Sequence, residues 1–352
     1  MNTVFVVLMI AIAASFVCIQ ALRPFAVRVG LVDVPNQRKR HQGTVPLIGG
    51  LALYASVAIC SVMLPAEVQR IKLWLVCSGI LVVIGALDDK FDVPATARLS
   101  IQTLVSLAMM IGTGLSLSYF GDIVGLGNIE LGFLAVPVTV LAIVTAINAF
   151  NMVDGIDGLL GVHSLVAVGG IVSLMLFSGG HPFLPVAVAI VGALIPYLTF
   201  NLCFTSASGK KIFMGDAGSM LIGFAVVWLL IESTHGDNIS FRPITAVWLI
   251  ALPLMDSVST IMRRIRKKQS PFKPDRTHLH HLFQRMGFTG RQALVIIGFM
   301  ALAIGTVGVV GELLAVPEWI MFCSFIALFL AYDYTFGRHA WKLVRYVKRR
   351  LH

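Results

Sequence analysis

From Gly132 to Leu160 the chain reads GFLAVPVTVLAIVTAINAFNMVDGIDGLL. Up to Ile147 the only polar side chains are Thr139 and Thr145. A run of this length and composition reads as a helix crossing a hydrocarbon layer of about 30 Å. The run then breaks. Asn148, Asn151, Asp154 and Asp157 follow at every third position, with Gly155 and Gly158 among them. Residues three apart are neighbours on a helix. Four such steps drift around an ideal α-helix, so one narrow face cannot hold all four side chains. The glycines signal that the backbone leaves helical geometry midway. Carboxylates and amides beside bare backbone suit close approach of a phosphate or a nucleobase. A polar turn with capping residues is the plainer alternative.

The same texture covers the whole chain. Hydrophobic residues make up 57% of it, charged residues 12%, and the mean hydropathy is +0.89. A soluble domain carries about a quarter charged residues. Apolar runs near 3–22, 46–64, 71–87, 98–117, 132–148, 164–178, 183–200, 217–232, 243–262, 292–311 and 316–335 predict about eleven spans. The third, sixth and eighth are short, which makes ten the alternative. The class is an all-α polytopic membrane protein, a single membrane-embedded domain over 1–352. Within it lie a loop with a surface helix at 263–291 and a basic tail at 337–352. The first run lacks a basic n-region and a small-residue cleavage site, so it reads as a retained helix. Cys18, Cys60, Cys77, Cys203 and Cys323 are scattered and form no CxxC, which reads as structural, apolar usage.

Basic residues set the expected orientation. With the N-terminus outside, the cytoplasmic segments collect Arg23, Arg28, Arg38, Lys39, Arg40, Lys90, Arg98, Lys210, Lys211, the series from Arg263 to Arg291, and the tail. The outside segments hold Arg70, Lys72 and Arg242. This satisfies the positive-inside rule and places the carboxylate-bearing breaks on the cytoplasmic rim. It accounts for the net charge of +10 without nucleic acid. Basic loops and tail are expected to lie against anionic lipid headgroups.

Other polar breaks carry further carboxylates. Asp88 and Asp89 close the third span, where they repel each other and the helix C-terminus repels both. A divalent cation or a cationic partner relieves this; a solvated span end is the alternative. Asp92 joins them if the turn stays helical. Asp216, between Gly215 and Gly218, opens the eighth span. It either caps that helix or binds a hard cation bridging phosphates. Asp256 lies inside the ninth span, two turns before Arg263 and Arg264. An ionisable group there is a functional candidate, with a buried pair to a neighbouring helix as the alternative.

The stretch SPFKPDRTHLHHLFQRMGFTGRQ, Ser270 to Gln292, reads as a helix starting at Pro274 and Asp275 and stopping at Gly287. Leu279, Leu282, Phe283 and Met286 form a stripe expected to lie on the membrane surface. Thr289 and Gln292 predict a capping box for the next span. His278, His280 and His281 admit zinc, a plain surface helix, or anion contact. Carboxylates nearby and the phosphate theme favour the anion.

Taken in order, RKRHQGTVPLIGG, LDDKFD, NAFNMVDGIDGLLG, KIFMGDAGS and SPFKPDRTHLHHL resemble the polyprenyl-phosphate N-acetylhexosamine-1-phosphate transferases over essentially the whole chain. DRTHLHH is closer to the undecaprenyl-phosphate N-acetylglucosamine branch than to the muramoyl-pentapeptide branch. The resemblance implies transfer of N-acetylglucosamine 1-phosphate from UDP-N-acetylglucosamine to undecaprenyl phosphate in a bacterial inner membrane. UMP is released, and the product starts a surface glycan of the O-antigen or enterobacterial common antigen type. Another UDP-N-acetylhexosamine or a muramoyl-pentapeptide donor is the alternative within the family, and a transporter the one outside it. The resemblance implies Asp216 as magnesium ligand, with Asp88 and Asp89 as catalytic residues and further metal ligands near the lipid phosphate; manganese is the substitute ion. It implies catalytic roles near the nucleotide for Asp154 and Asp157, and near the pyrophosphate for His278, His280 and His281. Substrate contacts fall on Asn148, Asn151, Asn201, Phe213 (stacking on uracil), Asp256 and Arg264. Lys39, Arg40 and His41 share the basic position before VPLIGG without a choice among them, and a homodimer is left open.

Overall fold

The computed structural model describes residues 2–34, 43–62, 69–202, 211–270 and 277–351. The basic position at Lys39, Arg40 and His41 lies outside them, as do Pro274 and Asp275. Fourteen α-helices run along these residues: α1 (Asn2–Val29), α2 (Gly49–Val62), α3 (Gln69–Phe91), α4 (Ala95–Thr113), α5 (Ala135–Val153), α6 (Leu159–Phe177), α7 (Leu184–Leu202), α8 (Gly215–His235), α9 (Pro243–Leu249), α10 (Ala251–Arg266), α11 (Leu279–Met286), α12 (Gly290–Leu313), α13 (Glu318–Tyr332) and α14 (Ala340–Leu351). Between α13 and α14 runs a π-helical turn, Asp333–Arg338. The strands among the described residues are the short antiparallel pair β1 (Val32–Asp33) and β2 (Val45–Pro46).

This is an all-α, multi-pass membrane protein. Among the described residues nine helices are long and apolar enough to cross a membrane, and ten if the pair α9 and α10, bent by 79°, forms one broken span. Every predicted span has its helix, but the shortening falls elsewhere than expected. The third, sixth and eighth spans are helices of 23, 19 and 21 residues. The shorter one is α2, with 14 residues, and the ninth is broken. Polar residues at the ends of α3, α6 and α8 lower the local hydropathy without ending the helix, because helix termini tolerate polar side chains that window averages penalise.

The described residues form two compact units, the first made of residues 1–117, 133–151 and 171–240, the second of 118–132, 152–170 and 241–352. In the first unit α8 is the central element and is almost wholly buried. Membrane helices lack a hydrophobic drive to associate, so close packing over small residues takes its place. Here Gly50 of α2 meets the backbone of Ala217 and Gly218, and Gly85 of α3 meets that of Asp216 and Ala217. A Cβ at either glycine would collide with that backbone. The glycines therefore press two helices against the first turn of α8, where Asp216 sits.

In the second unit α11 departs from its expectation. It begins at Leu279, with Thr277 and His278 ahead of it in non-helical form and His278 as the N-cap, while the start expected at Pro274 and Asp275 lies outside the described residues. It ends as predicted, at Gly287 with φ 105°. Its stripe of Leu279, Leu282, Phe283 and Met286 is buried, packed toward α12 and α14 and not on a membrane surface. An apolar stripe states that a face wants cover, not whether lipid or protein provides it. The Thr289–Gln292 capping box is present, with both reciprocal bonds formed.

Candidate active site

The first unit gathers the carboxylates of α3 and α8. Asp88 is buried, pairs with Arg98 of α4, and accepts the Val93 N–H at 2.8 Å. Asp89 reaches across to α8 and accepts the backbone N–H groups of Asp216 at 2.8 Å and Ala217 at 3.3 Å. The opening of α8 has no side-chain cap of its own. Asp89 thus satisfies two of its otherwise unbonded N–H groups from another helix, and Asp216 does not act as the cap. Asp216 Oδ1 instead accepts Asn151 Nδ2 at 2.5 Å, and the same amide donates to Ser219 at 2.8 Å. The Asp88 and Asp216 carboxylates lie side by side. Asp92 leaves the helix at φ 54°, so it does not continue the α3 row. It still lines a cavity of about 600 Å³ together with Asp33, Asp88, Asp89, Lys90 and Asp216.

The remaining first-unit candidates have identifiable contacts of their own. Asn148 donates to Gln102 of α4 at 2.9 Å and to the Val144 carbonyl. Asn201 is buried and donates to the Ile212 carbonyl at 2.9 Å. It thereby holds the segment that presents Phe213. The Phe213 N–H bonds the Pro46 carbonyl and its own carbonyl accepts the Gly49 N–H, both at 2.9 Å. Lys211 Nζ stands 5.0 Å from the Phe213 ring centroid.

The second unit holds the other candidates. α5 stops at Val153, and Asp154 and Asp157 are exposed on the turn before α6, where Gly158 has φ 78°. The break expected from the two glycines is therefore real. A Cβ at Gly155 would strike His280 Nε2, so this turn and the histidine helix pack in contact. Asp256 is buried with its oxygens occupied: His278 Nδ1 lies at 2.8 Å, the Leu279 N–H at 3.0 Å and the Tyr332 hydroxyl at 2.9 Å. It joins α10, α11 and α13 and sets where the histidine helix begins. His280 stacks parallel to His278 with ring centroids 6.1 Å apart, and His281 follows at 4.2 Å. Burial and then the neighbouring His281 hold the His280 ring far below its ordinary range, at about 3, so it stays neutral. Its Nε2 is buried with no hydrogen-bond partner among the described residues. Arg264 is buried in the last turn of α10.

The donor chemistry suits a hard cation. Asp88 is buried and Asp216 half-buried, and their carboxylates lie side by side, an arrangement that a divalent ion relieves. Magnesium prefers oxygen ligands and keeps places for water and substrate phosphate. Among the described residues no three acidic, histidine or cysteine side chains form a ready ligand set. Two protein carboxylates completed by phosphate and water match that pattern.

Several contributors escaped the sequence reading. Arg98 was counted as topogenic, yet it neutralises Asp88. Ser219 and Gln102 hold the asparagines. Buried His163 on α6 shares the electrostatic environment of Asp256 and His280. Tyr332 carried no signal at all. Asp333 did: it is ionisable within a predicted span, the same criterion that singled out Asp256.

With this geometry in view, comparison with known proteins decides the family. A family model described as "Glycosyl transferase family 4" matches residues 71–234, the stretch from α3 to α8. The chain is 46% identical over 328 residues to the undecaprenyl-phosphate alpha-N-acetylglucosaminyl 1-phosphate transferase of Escherichia coli K12, covering 93% of this chain and 89% of that one. It is 44% identical to the protein of that name from Yersinia pestis, with the same coverage. With the one from Haemophilus influenzae the identity is 42%, covering 95% and 94%. The chain belongs to glycosyl transferase family 4. Asp88, Asp89, Asp92 and Asp216 of the first-unit cavity fall within the family 4 match, as do Asp154 and Asp157.

Proposed function

We propose that this family 4 protein transfers N-acetylglucosamine 1-phosphate from UDP-N-acetylglucosamine to undecaprenyl phosphate and releases UMP. This is the first membrane step of a surface glycan, on the cytoplasmic face of a bacterial inner membrane. The cavity carrying Asp88, Asp89 and Asp216 is the observation that supports it, in a chain whose relatives bear that activity in their names. An oxygen of the lipid phosphate attacks the β-phosphorus that bears the sugar. The bond from that phosphorus to the bridging oxygen breaks, and UMP takes the electron pair. A phosphomonoester with a second pKa of about 6 is already largely ionised at neutral pH, so little general-base help is required. One phosphoanhydride bond breaks and one forms, which keeps the reaction near equilibrium.

The harder task is to bring two anions together. Magnesium, when bound at Asp216 and Asp88, supplies charge neutralisation for the phosphates. Asn151 orients the Asp216 carboxylate, and Arg98 balances Asp88. Asp89 keeps the first turn of α8 in place, so its contribution is to position Asp216. Asp154 and Asp157, exposed on their turn, hold the nucleotide, with Phe213 stacking on uracil. His280, neutral and with an unfilled Nε2, serves as a hydrogen-bond partner to a phosphate oxygen and not as a cation. UMP release from purified protein supplied with both substrates tests the reading. A panel of UDP-N-acetylhexosamines in the same assay ranks the donors. Absence of UMP with every donor would rule out the transferase and leave the transporter.

The proposed orientation, N-terminus outside and α14 inside, has its own test. In a cysteine-light background, an impermeant thiol reagent applied to intact cells is expected to label Asn128→Cys and to miss Lys267→Cys. Labelling of the second site reverses the topology.

A further inference from the structure

The C-terminal helix has a face that the reaction does not use. In α14, Ala340 and Val344 are buried, on the side packed toward α11. The apolar stripe of this helix is therefore spent on protein. The outward face presents Lys342, Arg345, Lys348 and Arg349 with no acidic residue in the helix, and between them Trp341 and Tyr346 are 53% and 58% exposed. Basic side chains interleaved with amphipathic aromatics match the headgroup layer of a membrane with anionic lipid. Position agrees with chemistry. The segment Glu318–Arg338 is long and apolar enough to span, and α14 begins two residues after it. The helix consequently starts at the rim of the bilayer.

The same helix is tied to the histidines. Arg285 of α11 lies 4.8 Å over the Trp341 ring. The turn feeding α14 is pinned at Asp333, which accepts Ser259 at 2.8 Å and Arg266 and Arg338 at 3.3 Å. Arg263 donates to the Phe336 carbonyl at 3.1 Å and to the Thr277 carbonyl at 3.2 Å. It thus fastens that turn to the residue just before His278. We propose that the exposed face of α14 docks on anionic phospholipid headgroups, and that this docking steadies α11 and the histidines it carries. The membrane surface thereby regulates the enzyme. The inference rests on the proposed function only in taking His280 and His281 to serve the reaction.

The test uses the full chain in nanodiscs of phosphatidylcholine, with or without phosphatidylglycerol. It compares the natural protein with the combined variant Lys342→Gln, Arg345→Gln, Lys348→Gln and Arg349→Gln. Two quantities are read: amide hydrogen exchange over Leu279–Met286, and UMP release. Phosphatidylglycerol is expected to slow exchange in α11 by about tenfold and to raise turnover in the natural protein. High salt reverses both, as screened surface attraction must. The variant is expected to match the natural protein in phosphatidylcholine, which shows that it is folded, and to ignore phosphatidylglycerol. Equal α11 exchange in the two lipids, or an equal response of the variant, overturns the proposal. So does protection in phosphatidylcholine produced by soluble inorganic phosphate, or by a second copy in the disc. A lipid response in exchange with no UMP release under any condition rejects the transferase reading and leaves the docking intact.

Discussion

Asp216→Asn is expected to leave the protein folded and inserted while lowering turnover by about a thousandfold or more, roughly 4 kcal/mol of barrier at about 1.4 kcal/mol per tenfold. The contacts make the separation clean. Asp216 Oδ1 accepts from Asn151, and the carbonyl oxygen of an asparagine can keep that bond. The start of α8 is held by Asp89 and not by the Asp216 side chain, so the helix loses no cap. What disappears is one negative charge beside Asp88, where a divalent ion and the phosphates it carries are proposed to sit. Asp216→Ala loses the Asn151 bond as well and is expected to fall at least as far. Thermal stability in detergent, compared across the three proteins, separates folding from chemistry. Near-normal turnover of the asparagine variant at saturating magnesium would exclude Asp216 as an essential ligand.

Much of this arrangement was legible in the chain, and the remainder failed for physical reasons. Hydropathy located each helix long enough to span, because a membrane imposes one length and one polarity on each crossing, but the run at 46–64 proved to be the short helix α2. The glycines of MVDGIDG announced the end of α5, and Gly287 the end of α11, because backbone conformation is a local property. Partners are not local. Asp89 read as a candidate metal ligand, yet its oxygens bond two backbone N–H groups of α8, some 127 residues away in sequence. Asp256 read as a group contacting substrate, yet it bonds His278, the Leu279 N–H and Tyr332. Its effect on the histidines is exerted through α11. The stripe of α11 signalled burial correctly and its cover wrongly, since α14 supplies an apolar face that composition alone reads as a basic tail. Arg98 looked like one more topogenic charge until α4 brought it to Asp88.

Lipid-free enzyme is expected to show no exchange of labelled UMP into UDP-N-acetylglucosamine, whereas supplying the lipid-linked product restores ready, UMP-driven reversal. The expectation follows from direct attack by the lipid phosphate. A covalent aspartyl-phosphate route needs a carboxylate with a free oxygen aimed at the donor. In the first-unit cavity the two carboxylates at the end of α3 are already engaged. Asp88 holds Arg98 and the Val93 N–H, and Asp89 holds the two N–H groups that open α8. Using either as nucleophile would strip an ion pair or a helix cap from the residues that position Asp216. The gain would also be small, since the lipid phosphate is already an anion at neutral pH. If an aspartate did attack first, the enzyme would take up the sugar phosphate and return it to labelled UMP with no lipid present. Under direct attack, that exchange requires undecaprenyl phosphate or its glycosylated product. Rapid exchange in a preparation proven free of bound lipid would overturn the direct mechanism and give one of these aspartates the role of nucleophile.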